Sequence, residues 1–171
     1  MTLSMYQASA PRFASTLRNL SAILDKAQAY CEAKKIEPTV LTGSRLYPDM
    51  YPLSRQVQIA CDTAKGAVAR LAGKEIPKHE DTEQTFDELK ARVAKTLDFI
   101  DSAKPAQIDG SEAKEIVLKL GGREAKFSGA QYLLGFAYPN FYFHATTAYD
   151  ILRHNGVVLT KRDFMGSFQP K

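Results

Sequence analysis

The chain has 171 residues, of which 44% are hydrophobic and 25% charged, as is usual for globular proteins that dissolve in water. Its net charge of +4 is spread over interleaved basic and acidic side chains, which argues against a nucleic-acid-binding surface. No stretch approaches the roughly 20 apolar residues of a membrane span, and the N-terminus lacks the pattern of a signal peptide.

These properties predict a single domain over residues 1–171, with no membrane and no nucleic acid among its partners. The chain has two cysteines, Cys31 and Cys61, and both occur inside apolar helical patterns. Two buried thiols without a CxxC spacing are typical of a reducing compartment. We therefore expect a cytoplasmic protein.

The first predicted helix carries apolar residues at alternating spacings of four and three, the pattern of a helix packed in a bundle. These residues are Phe13, Leu17, Leu20, Leu24, Ala27 and Cys31. A long connection, residues 36–53, follows. Its apolar content predicts that it packs on the bundle, either as a lid over a site or as a plain crossover.

The second helix is predicted over Ser54 to Ala72, and Gly73 is a natural stop for it. The third helix is predicted to begin near the sequence DTEQ, where Asp81 can cap it and Gln84 can bond back. Its apolar face then continues to Ile100.

The pattern changes before the last helix. Two short alternating runs flank Gly121-Gly122, which predicts a β-hairpin. Ser128, with Gln131 three residues later, forms a capping box that begins the fourth helix. Pro139 lies inside that helical pattern and predicts a kink, and Asn155-Gly156 ends the helix.

One helix face contains the polar pair that could carry chemistry. Asn140 and His144 are four residues apart in PNFYFHATTAYDILRHNG and so project from the same side of the helix. His79 lies in a polar connection, where we expect a surface residue. His144 is therefore the candidate for an internal site, either as a functional group or as a hydrogen-bonded core residue.

The helix order, the long first crossover and the segment HATTAYDILRHNGV resemble the DinB/YfiT-like superfamily. The segments PDMYPLSRQVQIACDTAKGAVARLAG and LLGFAYPNFYFHATTAYDILRHNGV are similar to a bacterial and fungal branch of unknown function. This resemblance covers essentially the whole chain. It implies a mainly α-helical fold: an up-down-down-up four-helix bundle with a long first crossover and a small β-hairpin before the last helix.

Members of this superfamily typically bind a divalent metal through three histidines, two of them four apart on the last helix. The resemblance places His144 on the second of that pair and Asn140 on the first, and the helix-two ligand near Gln58 to Asp62. No histidine lies there. Two alternatives remain: His144, Asn140, Asp62 and Gln58 hold a weakly bound zinc or nickel ion, or they form a metal-free hydrogen-bond network, which we favour.

Aromatic residues near this cluster have the composition of a small-molecule pocket, and equally that of a well-packed kinked helix. They include Tyr138, Phe141, Tyr142 and Tyr149. We expect a protein that binds a small molecule in the bundle with a His-poor metal site. The alternative is a metal-dependent transferase or hydrolase acting on a small, thiol-linked substrate, with His144 as catalytic base or ligand. Both are compatible with a homodimer.

Overall fold

A computed structural model describes residues 3–167. Its four long helices are α2 (Ala10–Lys34), α4 (Leu53–Ala72), α5 (Phe86–Asp101) and α8 (Tyr138–His154). Helix α4 packs against both α8 and α5, and α2 packs against α5. The candidate site residues lie on α4 and α8. Within residues 3–167, no helix combines the length and the apolar composition that crossing a membrane requires.

Helix α2 follows the apolar pattern of the sequence. The six residues of its predicted seam are all at most 2% exposed. The helix ends at Lys35, whose φ of 56° places it in the left-handed region used by C-terminal caps. A short helix, α1 (Met5–Ala8), precedes it.

The connection from α2 to α4 contains one short helix, α3 (Pro38–Thr42). The predicted packing of this connection on the bundle is wrong for most of its apolar residues. Leu41 is buried, whereas Val40, Tyr47 and Tyr51 are more than half exposed. Burying Leu41 anchors the crossover at one point, and the aromatic side chains that follow are left at the surface.

Helix α5 begins four residues later than the sequence pattern predicted. Thr85 is its N-cap and forms a reciprocal capping box with Glu88. The predicted cap, Asp81, bonds instead to Arg55 and Arg92. Two cations compete for the Asp81 carboxylate, and the Thr85-x-x-Glu88 pattern supplies the cap in its place.

The predicted hairpin is confirmed as β1 (Glu115–Leu120) paired antiparallel with β2 (Arg123–Ser128). Gly121 and Gly122 form the turn with φ of 55° and 82°, and this left-handed geometry at both positions suits glycine. Ile116 and Leu118 are buried on the face turned to the bundle. The mainly helical fold with a small hairpin before the last helix is confirmed.

The last helical segment begins with α7 (Gly129–Tyr132), which Ser128 and Gln131 cap as predicted. A π-helical turn, Leu133–Ala137, then joins α7 to α8. Pro139 has no N–H to donate and its ring crowds the carbonyl of Gly135, which favours a widened turn at this point. The remaining short helices are α6 (Pro105–Ile108) and α9 (Lys161–Met165).

Candidate functional site

His144 lies on the buried face of α8, where it is 8% exposed and faces α4. Its Nδ1 lies 2.6 Å from the side-chain oxygen Oε1 of Gln56. Gln56 is itself 1% exposed, so this bond forms inside the protein. Sequence reasoning missed Gln56, because the helical pattern of α4 could not tell which polar residue faces α8.

A second bond of Gln56 determines the tautomer of His144. The Gln56 amide nitrogen donates to the carbonyl oxygen of Tyr51 at 3.0 Å, which requires the NH₂ group at that end of the side chain. The oxygen of Gln56 therefore faces His144, and Nδ1 of the imidazole must carry the proton. The other ring nitrogen, Nε2, keeps its lone pair.

The surroundings of His144 keep its imidazole neutral. Burial, reinforced by the positive charge of Arg55, lowers the pKa of His144 below its ordinary value. Arg55 lies 6.0 Å from the centre of the Tyr51 ring, in the same short stretch that bonds Gln56. At neutral pH, His144 therefore presents an uncharged base at Nε2.

Asn140, one turn before His144, also meets α4. Its side-chain nitrogen donates to the hydroxyl oxygen of Thr63 at 2.8 Å. Thr63 and Gln56 are seven residues apart, or about two turns, and so share one face of α4. The polar pair of α8 thus meets Gln56 and Thr63.

Gln58 and Asp62 lie on a different face of α4. The Gln58 amide donates to Glu83 at 2.9 Å, and Asp62 accepts from Arg92 and Lys65 at 2.8 Å each. At about 100° per residue, positions 58 and 62 point well away from the face of 56 and 63. The structure therefore divides the four predicted site residues into two groups instead of bringing them together.

The second group surrounds Arg92 of α5, whose side chain is 1% exposed. The guanidinium bonds to the carboxylates of Asp62, Asp81 and Glu83 at 2.8, 3.0 and 3.0 Å. This cluster joins α4, α5 and the segment between them. Its bonds within the protein account for the position of Asp62, which faces a cation of this chain.

The predicted pocket aromatics mostly pack in the core. Phe141 is fully buried with its ring edge-on to Phe13 at 4.9 Å, and the Tyr138 hydroxyl donates to the carbonyl of Ala8. Tyr149 packs on Phe164, with ring centres 5.9 Å apart. Tyr142 is 37% exposed and reaches the surface.

Another aromatic residue of α8 flanks the histidine. Phe143 is 57% exposed and stands edge-on to the His144 ring at 5.2 Å. Phe143 therefore places an exposed aromatic ring beside a buried imidazole. This arrangement can supply apolar contacts to a small molecule and one hydrogen-bond acceptor.

The side chains around His144 are not the ligands that a zinc or nickel ion prefers. Among residues 3–167, the structure shows no cluster of three or more His, Cys, Asp or Glu side chains that could hold a metal. Asn140 offers only an amide oxygen, and Gln56 uses its oxygen on Nδ1. Zinc and nickel favour imidazole and thiolate ligands over neutral amides.

The environment of Cys61, next to the Arg92 cluster, disfavours a nucleophilic thiolate. Burial raises the pKa of the Cys61 thiol to about 12. The thiolate, which is the reactive form, is therefore scarce at neutral pH.

The family model of a domain of unknown function, DUF1993, matches residues 5–165. The chain belongs to this family. It is also similar to a DinB family member protein from Shewanella denitrificans, known from a crystal structure. The two chains are 43% identical, the match covers 97% of this chain and 94% of the other, and the TM-score is 0.88. No curated protein matches the sequence. The resemblance to a DinB-like branch of unknown function is confirmed.

Proposed function

We propose that this DinB-like protein binds a small molecule beside α8 through Nε2 of His144, without a metal ion. The observation that carries the proposal is the chain of bonds from the Tyr51 carbonyl through Gln56 to His144 Nδ1. These bonds orient the ring and leave Nε2 as an acceptor. In functional histidines, a hydrogen-bond partner on one ring nitrogen commonly orients the ring so that the other nitrogen is free to act.

The chemistry of Nε2 limits the ligand. A neutral imidazole nitrogen accepts a hydrogen bond, so the ligand must offer a proton donor such as a hydroxyl, a thiol or an ammonium group. The exposed ring of Phe143 favours an apolar or aromatic portion next to that donor. A small alcohol or thiol with an apolar body meets both requirements.

A catalytic role for His144 is the second candidate. The lowered pKa of His144 keeps the imidazole in its basic form near neutral pH, as a general base requires. His144 would take the proton of a hydroxyl or thiol substrate in a transferase or hydrolase. The metal-dependent version of this reaction requires ligands that the donors around His144 do not provide.

Two further properties belong to the proposal. Exposed apolar side chains, among them Leu134, Phe143 and Tyr47, are each more than half exposed and favour a homodimer. Analytical ultracentrifugation of the full chain tests this directly. A cytoplasmic location accords with the two unpaired cysteines, Cys31 and Cys61.

The decisive experiment combines metal analysis with ligand screening. Protein purified without chelator or affinity tag is analysed for zinc and nickel. It is then screened by thermal shift against small hydroxyl and thiol compounds. We expect no stoichiometric metal, and ligands whose stabilising effect is lost in His144→Ala and retained in the control His154→Ala.

Nitrogen-15 NMR of the His144 ring tests the underlying geometry. We expect the proton on Nδ1 and an apparent pKa of His144 below the ordinary value of a histidine. A proton on Nε2 would contradict the proposal. Stoichiometric zinc or nickel that His144→Ala removes would instead favour the metal-dependent enzyme.

A further inference from the structure

Two cavities lie side by side around the segment between α4 and α5. The first has a volume of about 370 Å³ and reaches Arg92 and Lys95 of α5, and the second, of about 490 Å³, reaches Asp62 and Lys65 of α4. Lys78, His79 and Glu80 line both, and we call the combined space the His79 cleft. It is separate from the His144 site, which lies between α4 and α8.

His79 is not the plain surface residue that its polar sequence context predicted. It is partly buried, and its Nδ1 is shielded from solvent without a hydrogen-bond partner among residues 3–167. The same is true of the Nε of Arg92, whose residue is 2% exposed. Buried polar atoms without partners are rare in proteins and are commonly satisfied by water or a ligand.

The carboxylates of the cleft are mostly committed to partners within the protein. Asp62 and Glu83 bond to Arg92, and Glu88 caps α5. Among residues 3–167, Glu80 is the one lining carboxylate with no recorded side-chain partner. Asp62 and Glu83 are thus neutralised by cations within the protein, whereas Glu80 and Glu88 keep their negative charge.

Several cations of the cleft lack such partners. Within the described part of the chain, Lys78, Lys95 and Arg70 form no ion pair with a carboxylate. Arg70 donates to the Tyr132 hydroxyl at 3.0 Å. The uncommitted groups therefore carry a net positive charge, which attracts an anion into the concave surface.

The titration behaviour of His79 agrees with this charge distribution. Burial lowers the pKa of His79, and the positive charges of Lys65 and Arg92, with a smaller contribution from Lys95, lower it further against the opposing effect of Asp62. The positive charges around His79 thus affect its pKa more than the negative charges do. Its neutral ring offers one donor and one acceptor at the junction of the two cavities.

We propose that the His79 cleft binds a small anion bearing a carboxylate or phosphate group. Lys78 and Lys95 supply the opposite charge, and His79 together with the unpartnered Nε of Arg92 supplies hydrogen bonds. The cavity volumes suit a ligand of a few to about twenty heavy atoms. The site is independent of the ligand proposed for His144, and either can exist without the other.

The test is an NMR titration of the His79 ring with sodium phosphate and, separately, with sodium succinate. The total ionic strength is held constant with sodium chloride. We expect a saturable shift with at least one of the two probes, accompanied by a rise in the apparent pKa of His79, because a bound anion stabilises the protonated ring. Saturation by phosphate alone or by succinate alone supports the proposal and identifies the preferred group.

Two double variants separate a specific site from general attraction. Lys78→Ala with Lys95→Ala removes the charge partners, and we expect affinity to fall at least tenfold. Lys34→Ala with Lys119→Ala removes the same charge from two exposed lysines outside the cleft, and affinity should stay within a factor of two. All four positions are exposed, so circular dichroism should report the wild-type fold in both variants.

Two results would overturn the proposal. One is the lack of a saturable His79 shift with both probes. The other is an equal loss of affinity in the two double variants, which would indicate attraction by net charge alone. Neither result bears on the His144 site, which is tested with small hydroxyl and thiol compounds.

Discussion

Arg92→Met is the perturbation that best tests the ion cluster between α4 and α5. It removes a cation that is 1% exposed and leaves three carboxylates without it: Glu83 at 13% exposure, Asp62 at 39% and Asp81 at 38%. Deleting one partner of a buried ion pair destabilises by about 3–5 kcal/mol. Water screens the two more exposed carboxylates, so we expect a loss of about 2–4 kcal/mol at pH 7.

The loss should depend on pH in a defined direction. Burial alone would raise the pKa of Asp81, but bonds and charge interactions with Arg55 and Arg92 hold this pKa below its ordinary value. Stability gained from a lowered carboxyl pKa is present above the unfolded-state pKa, about 3.9, and disappears as pH falls through the lower folded-state pKa. The difference between wild type and Arg92→Met should therefore shrink steadily below about pH 4.

Urea denaturation of both proteins between pH 3 and pH 7 measures this difference. Arg18→Met is the matched control, because Arg18 forms a 2.7 Å pair with Asp101 in which both side chains are more than half exposed. Its unfolding free energy should change within experimental error. Adding Glu83→Gln to Arg92→Met should recover part of the loss, since it removes the least hydrated of the unpaired charges. An equal loss at pH 3 and pH 7 would refute the electrostatic reasoning and attribute the effect to packing.

Three other changes test local features of the fold. A Cβ added at Gly129 would lie 2.0 Å from the backbone oxygen of Ser111, so Gly129→Ala should destabilise by about 2 kcal/mol or more in urea denaturation. Gly135→Ala meets no atom within 4 Å and should be neutral or stabilising by up to about 1 kcal/mol; a larger loss there than at Gly129 would contradict the packing. The pKa of Asp163 is lowered to about 2, mainly by the Lys26 ammonium group, which bonds to its carboxylate at 2.6 Å. Asp163→Asn should therefore lower the melting temperature at pH 7. The difference in melting temperature between wild type and variant should disappear as pH falls through about 2. A difference of equal size at pH 2 would exclude this ion pair as the source of the effect.

The sequence alone determined the features that depend on neighbours along the chain. The apolar seam of α2, the Gly121-Gly122 turn and the Ser128 cap of α7 each follow from backbone preferences or periodicity within a few residues. The family resemblance added the order of the elements. For this reason, the fold was predicted closely, including the small hairpin before the last helix.

Only the tertiary structure decided which polar residues meet. Periodicity places Gln58 with Asp62, and Asn140 with His144, on shared helix faces, but it does not give the rotation of α4 relative to α8. That rotation brings Gln56 to His144 and turns Asp62 toward Arg92. Asp81, the expected cap of α5, pairs instead with Arg92. A buried guanidinium needs carboxylate partners, and only the tertiary structure shows which carboxylates lie close to it.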